Sequence, residues 1–343
     1  MTTDKKLYAA LGVLVLLGVA VWAQQRSHDK VDEAHSLAAE QAQLPEIAIS
    51  EEAAKTVDWI SITRPAEGDA GAASSFEFKK QAEEDWILEQ PVEANANNSN
   101  IKQLIENMQK LRVNEKISSG TDSYERWEMT DSKATHVVVK AGDKVLMDAY
   151  FGHNGSRGQM TRVAGTDGVF AVKDFSQYLY QREAKDWRDR SVFKIEGDDI
   201  VKVDIQNEHG RFAFVKADGK WKGQFAKDGK APLKDIPDFK ESQVTSMVNA
   251  YKNLSAVNFG DDKSLEDAGL AEPVATLTLS EKEGAGTHVL QIGNKASGTN
   301  RWGKRNGRDQ VYEISSWTAE WATAELSKFQ EKKTEEKDDK DEG

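Results

Sequence analysis

Apolar residues at Ile101, Leu104, Ile105, Met108 and Leu111 follow an i, i+3, i+4, i+7, i+10 spacing. That spacing draws one face of an amphipathic helix. Val244, Met247, Val248, Tyr251 and Leu254 draw it again, 143 positions later in every case (Ile101 to Val244, Leu111 to Leu254). Ser99 and Ser242 precede the two faces, where a hydroxyl would cap free helical N–H groups. The likeness continues on both sides. Ile60 and Ile62 answer Val203 and Ile205; Phe76 and Phe78 answer Phe212 and Phe214; Trp86 answers Trp221. Downstream, Phe151-Gly152 answers Ile292-Gly293, and the stretch from Val169 to Val172 answers Val311 to Ile314. Phe175 to Leu179 then answers Trp317 to Trp321 as a closing helix. Blocks in one order, with offsets that drift by one or two residues except before the first helix, where insertions differ, mark a tandem duplication.

Each copy reads as three strands, a helix, four strands and a helix. In the second copy the pattern predicts strands over 200–206, 211–216 and 220–225 and a helix over 242–254. Further strands are predicted over 275–279, 288–292, 301–304 and 311–314. VKVDI and TLTLS alternate as half-buried antiparallel strands do. Asp218-Gly219 and Asn306-Gly307 supply turns. The expected fold class is α+β, two similar antiparallel-sheet-plus-helix domains behind a single N-terminal transmembrane helix.

That helix is predicted from Leu7 to Ala23, an uncharged run flanked by Lys5, Lys6 and Arg26. It would span about 26 Å, short but workable for a hydrocarbon core of about 30 Å. Tyr8 and Trp22 lie near its ends, where interfacial rings are favoured. A cleaved signal peptide, with Val21 and Ala23 at the −3 and −1 positions, is the competing reading. Lysine and arginine counts on the two sides are nearly equal, so orientation rests on the short N-terminal tail. It reads as N-terminus cytoplasmic, with the bulk of the chain outside the cytoplasm behind a single membrane pass. The expected organisation is a tail over 1–6, the anchor over 7–23 and a stalk over 24–54. Repeat domains follow over 55–185 and 198–330, separated by a junction over 186–197. A charged, disordered tail occupies 331–343.

Composition narrows the function. The 343 residues carry a net charge of -12, which argues against a nucleic-acid partner. There is no cysteine, so thiolate metal sites and cysteine nucleophiles are excluded. No phosphate loop, HExxH or GxSxG is present. The six histidines show no i, i+4 pair, and His153 reads as an exposed turn residue because Asn294 stands at its place in the second copy. Asp198-Asp199 and Asp261-Asp262 read as turn residues. No catalytic residue, cofactor or metal ligand is assigned. Arg301, Trp302, Arg305, Arg308, Trp317 and Trp321 form the candidate partner-facing patch, since aromatics and arginine are enriched at interface cores. Trp187, Arg188, Asp189 and Arg190 form a candidate inter-repeat junction, through which the copies are expected to touch.

The anchor, the Trp-bearing strand, the helix, the Gly269-Leu270-x-x-Pro273 turn and the Ile292-Gly293 strand end resemble the family called domain of unknown function 4340. The resemblance covers roughly 55–328 in two copies. Copy one departs from it: Glu128-Met129 and Asp131-Ser132 stand where Gly269-Leu270 and Glu272-Pro273 stand in copy two. The resemblance implies a membrane-anchored extracytoplasmic bacterial protein, of a kind often encoded beside ABC transporters of the gliding-motility type. It supplies no catalytic residues. The expected function is a non-enzymatic accessory or scaffold subunit of an envelope complex of the ABC-transport kind, with integral-membrane or envelope proteins as partners. The alternatives are a binding module for cell-wall glycan or a secreted ligand, and a hydrolase using paired carboxylates.

Overall fold

A computed structural model describes residues 19, 21–22, 24–26, 44–66, 73–82, 84–196, 199–228 and 230–331. The predicted anchor lies outside these residues except for Val19, Val21 and Trp22. Among the described residues no helix is long and apolar enough to cross a membrane. The charged tail beyond Glu331 and the stalk over 27–43 also lie outside them.

The chain divides into two compact units at Asp189/Arg190. The first opens with a short helix, α1 (Glu51–Thr56), followed by β1 (Trp59–Arg64), β2 (Ser74–Lys80), β3 (Trp86–Gln90) and β4 (Ala94–Asn95). Helix α2 (Asn98–Lys110) leads to β5 (Arg112–Ser118), β6 (Thr135–Ala141), β7 (Lys144–Gly155), β8 (Gly158–Val163) and β9 (Val169–Lys173). Two four-residue helices, α3 (Gln177–Tyr180) and α4 (Ala184–Trp187), close it. The second unit runs β10 (Ile200–Asn207), β11 (Gly210–Ala217), β12 (Lys220–Ala226), β13 (Lys234–Asp235), α5 (Glu241–Lys252), β14 (Asn258–Phe259), β15 (Ala275–Glu281), β16 (Thr287–Lys295), β17 (Arg301–Arg305), β18 (Tyr312–Ile314) and α6 (Ser316–Ala322).

The sheet orders are β4-β3-β2-β1-β6-β7-β8-β9-β5 and β13-β12-β11-β10-β15-β16-β17-β18-β14. Every adjacent pair is antiparallel. Substituting element for element turns the first order into the second, so the duplication is a duplication of topology. Even the registers agree: Ile62 faces Val137 in one sheet, and Ile205 faces Leu277 in the other.

Alternation in the strands puts one row of apolar side chains beneath each long helix. In the first unit Ile60, Ile62, Phe76, Phe78 and Val137 meet Ile101, Leu104, Met108 and Leu111. In the second, Val203, Ile205, Phe212, Phe214 and Leu277 meet Val244, Met247, Tyr251 and Leu254. The fifth position of each predicted face, Ile105 and Val248, is half-buried in both units. Each such side chain contributes about 1.5–3 kcal/mol on burial. Leu104→Asp or Met247→Asp should therefore unfold its own unit. Lys102→Asp and Thr245→Asp, at exposed positions two residues earlier and off that face, should leave thermal unfolding within about 0.5 kcal/mol of the parent.

Two features differ from the sequence expectation. The serines are not the caps. Asn97 accepts the Asn100 N–H at 3.2 Å and caps α2, while Lys240 precedes α5 with no side-chain cap. Ser99 and Ser242 lie inside the first helical turn. The helices begin at Asn98 and Glu241, one residue before each serine. The strand count also rises from seven to nine per sheet. The additions are β4, β5, β13 and β14, and three of these four have two residues each, too few to alternate.

Candidate functional site

Beside each long helix the Trp-bearing strand leaves a groove. In the first unit it holds about 550 Å³ and is walled by Ala54, Lys55, Trp86, Lys102, Ile105 and Glu106. In the second it holds about 210 Å³ and is walled by Trp221, Glu241, Thr245, Val248, Asn249 and Lys252. Lys102, Ile105 and Glu106 stand 143 positions before Thr245, Val248 and Asn249, so the two grooves are the same place in the fold. Trp86 and Trp221 are each buried at the groove and joined to its helix by one hydrogen bond. The Trp86 N–H donates to Asn98 Oδ1 at 3.1 Å, and the Trp221 N–H donates to Glu241 Oε1 at 2.8 Å. Asn98 and Glu241 are themselves 143 apart. The floor is shared, a tryptophan with a β-branched residue, whereas the rims have diverged. The larger volume in the first unit comes with α1, which supplies Glu51, Ala54 and Lys55 as a second wall.

The junction residues have a different place. Trp187 is fully buried in the first unit's own core, with its ring edge-on to Phe78 at 5.0 Å and the Arg182 guanidinium 5.3 Å away. Its carbonyl accepts the Asn97 N–H at 2.7 Å, Arg188 bridges to Ala96, and the Asp189 N–H donates to Asn95 O at 2.8 Å. The second unit repeats this set. Phe329 is fully buried 4.8 Å from Phe214, its carbonyl accepts the Lys240 N–H at 2.9 Å, Gln330 bridges to Phe239, and the Glu331 N–H donates to Asp238 O at 2.8 Å. Trp187 is thus a closing plug, and Phe329 is its counterpart. Arg190 belongs to the second unit, where its carbonyl accepts the Ala256 N–H.

The start of each copy moves accordingly. Val192, Phe193 and Ile195 are buried in the second core, and the Val192 N–H donates to Leu254 O at 2.8 Å. Ile47 and Ile49 are buried in the first core, and the Ile49 N–H donates to Met108 O at 3.3 Å. These leaders begin near 47 and 190, earlier than 55 and 198. Residues 47–54, read as stalk, and 190–196, read as junction, are parts of the domains.

The six residues of the predicted patch do not share one surface. Along β17 the side chains alternate, so Arg301 and Arg305 project on one side and Trp302 on the other. Arg301 donates to Gly293 O at 3.0 Å, and Arg305 donates to Val192 O at 2.8 Å. Trp302 packs on Ala268, Leu270 and Val311. Trp321 is buried in the main core, with Lys328 Nζ 4.7 Å from its ring. Arg308 is exposed, and Trp317 is 61% exposed at the start of α6. Phe175, which answers Trp317 in the first copy, instead stacks on Phe151 and Tyr180 at 4.5 Å from each.

A polar row that sequence reading passed over crosses the outer face of the first sheet. Thr63, His136, Tyr150 and Arg162 are register partners on β1, β6, β7 and β8. His136 stacks on Tyr150 at 3.9 Å and contacts Asp148 Oδ1 at 2.8 Å through Nε2. The Arg162 guanidinium lies 3.6 Å from the Tyr150 ring and bonds Asp131 at 2.5 Å. Burial first, and then the Asp131 charge, push the Tyr150 phenol up. These residues line neither groove. Gln206, Thr276, Gln291 and Lys304 occupy the same row in the second sheet. His153 is exposed, 3.9 Å from Glu128. Among the described residues no group of three or more His, Asp or Glu side chains could hold a metal ion.

The turn that departs from the pattern in copy one is nonetheless built. Glu128 adopts φ 58 where Gly269 adopts φ 66. The next residues, Met129 and Leu270, are both buried, and the Trp127 and Ala268 carbonyls accept from His153 and Asn294 N–H in the same way. Glu128 is exposed, so its cost is conformational. Glu128→Gly should stabilise the first unit by about 0.5–1 kcal/mol, read as a higher midpoint in thermal unfolding.

The family described as Domain of unknown function (DUF4340) matches residues 86–272 and again 234–341. The chain belongs to this family. Its two overlapping matches run from 86 to 341 in all and fall across both units. No curated protein and no solved structure matches the chain.

Proposed function

We propose that the chain is a non-enzymatic scaffold or accessory subunit of a bacterial envelope complex, held in the inner membrane by Leu7 to Ala23 with both units in the periplasm. Integral-membrane proteins, of the ABC-transport kind, are its proposed partners. The observation that carries this reading is the retention of one groove in both copies, with the same tryptophan floor and helix positions and different rims. A duplicated recognition element with a common floor and diverged rims suits a protein that holds two related segments of an assembly. The uncharged run near the N-terminus would keep those grooves close to membrane partners.

Affinity capture after crosslinking in intact cells tests this. Integral-membrane proteins should co-purify, and Ile105→Glu together with Val248→Glu should lower their recovery at least tenfold. Both side chains are half-buried at the groove walls, so circular dichroism of the purified variant must match the parent. Recovery of the chain alone from crosslinked cells would overturn the proposal. So would full recovery by the folded double variant.

A further inference from the structure

We draw no further inference here: the strongest candidate, the groove between α1 and α2 over Trp86, belongs to the site already described, and nothing in the structure shows what covers it.

Discussion

Trp187→Ala should cost the first unit about 3–5 kcal/mol, a large fraction of the stability of an ordinary domain. The ring is wholly buried against Phe78, and the carbonyl of the same residue holds the residue that caps α2. Removing the ring opens a cavity beneath the helix and loosens the closing segment together. Phe329→Ala should do the same in the second unit, where Phe329 packs on Phe212 and Phe214. Trp187→Phe should be much milder, within about 1.5 kcal/mol. Phenylalanine already serves at this place in copy two, and the buried Trp187 indole N–H has no hydrogen-bond partner among the described residues. Hydrogen exchange followed by mass spectrometry checks this peptide by peptide. For Trp187→Ala, peptides from β1, β2 and α2 should lose protection. If those peptides stay as protected as in the parent, Trp187 is not a core plug.

The helix faces and the succession of strands along the chain were legible because both depend on short-range periodicity. Ile101 to Leu111 and Val244 to Leu254 repeat a spacing that only a helix satisfies, and the constant offset supports each reading with the other. The eight second-copy elements fall within three residues of their expected limits. Chain ends were less legible. Trp187 and Phe329 hold one position with different rings, so no identity links them until the hydrogen bonds to Asn97 and Lys240 are seen. The leaders are still fainter. Ile47 and Ile49 on one side and Val192, Phe193 and Ile195 on the other lie in apolar stretches too short to predict an element. What buries them is pairing with the far end of a helix some sixty residues on, a contact no local pattern records.

The grooves were half legible. Trp86 and Trp221 stood out as equivalent, but composition treats a buried indole as core and says nothing of the space beside it. Asn98 and Glu241 carry the one chemical tie common to both grooves, yet they differ in side chain. Their shared role is to accept a hydrogen bond, which either an amide or a carboxylate can do. The Arg/Trp cluster failed as a surface for a related reason. Closeness in sequence along a strand alternates faces, so Arg301 and Trp302 are neighbours that cannot point the same way.

Gly293→Ala should be a severely damaging single-methyl change in the second unit. The turn before β15 presses its backbone onto β16 here. A Cβ on Gly293 would lie 2.1 Å from Ala268 O and 3.0 Å from Gly269 C, and neither atom can rotate away. The same carbonyl accepts the Asn294 N–H at 2.8 Å, so relieving the overlap breaks that bond. It also lifts Ala268 and Leu270 from the small cluster they form with Val311 beneath Trp302. Three losses at one point place the cost at about 3 kcal/mol or more, in the tail of single-substitution effects. Gly152 has the same role in the first unit, with the Glu128 and Trp127 carbonyls 2.4 and 2.6 Å from a Cβ. Gly307→Ala is the control. Its φ of 72 makes any side chain cost about 1 kcal/mol, but a Cβ there meets nothing within 4 Å among the described residues. Urea unfolding of the three variants should therefore rank Gly293→Ala and Gly152→Ala together, well below Gly307→Ala. Equal midpoints for Gly293→Ala and Gly307→Ala would mean that the turn is not seated on the strand, and the shared construction of the two copies at this point would fall with it.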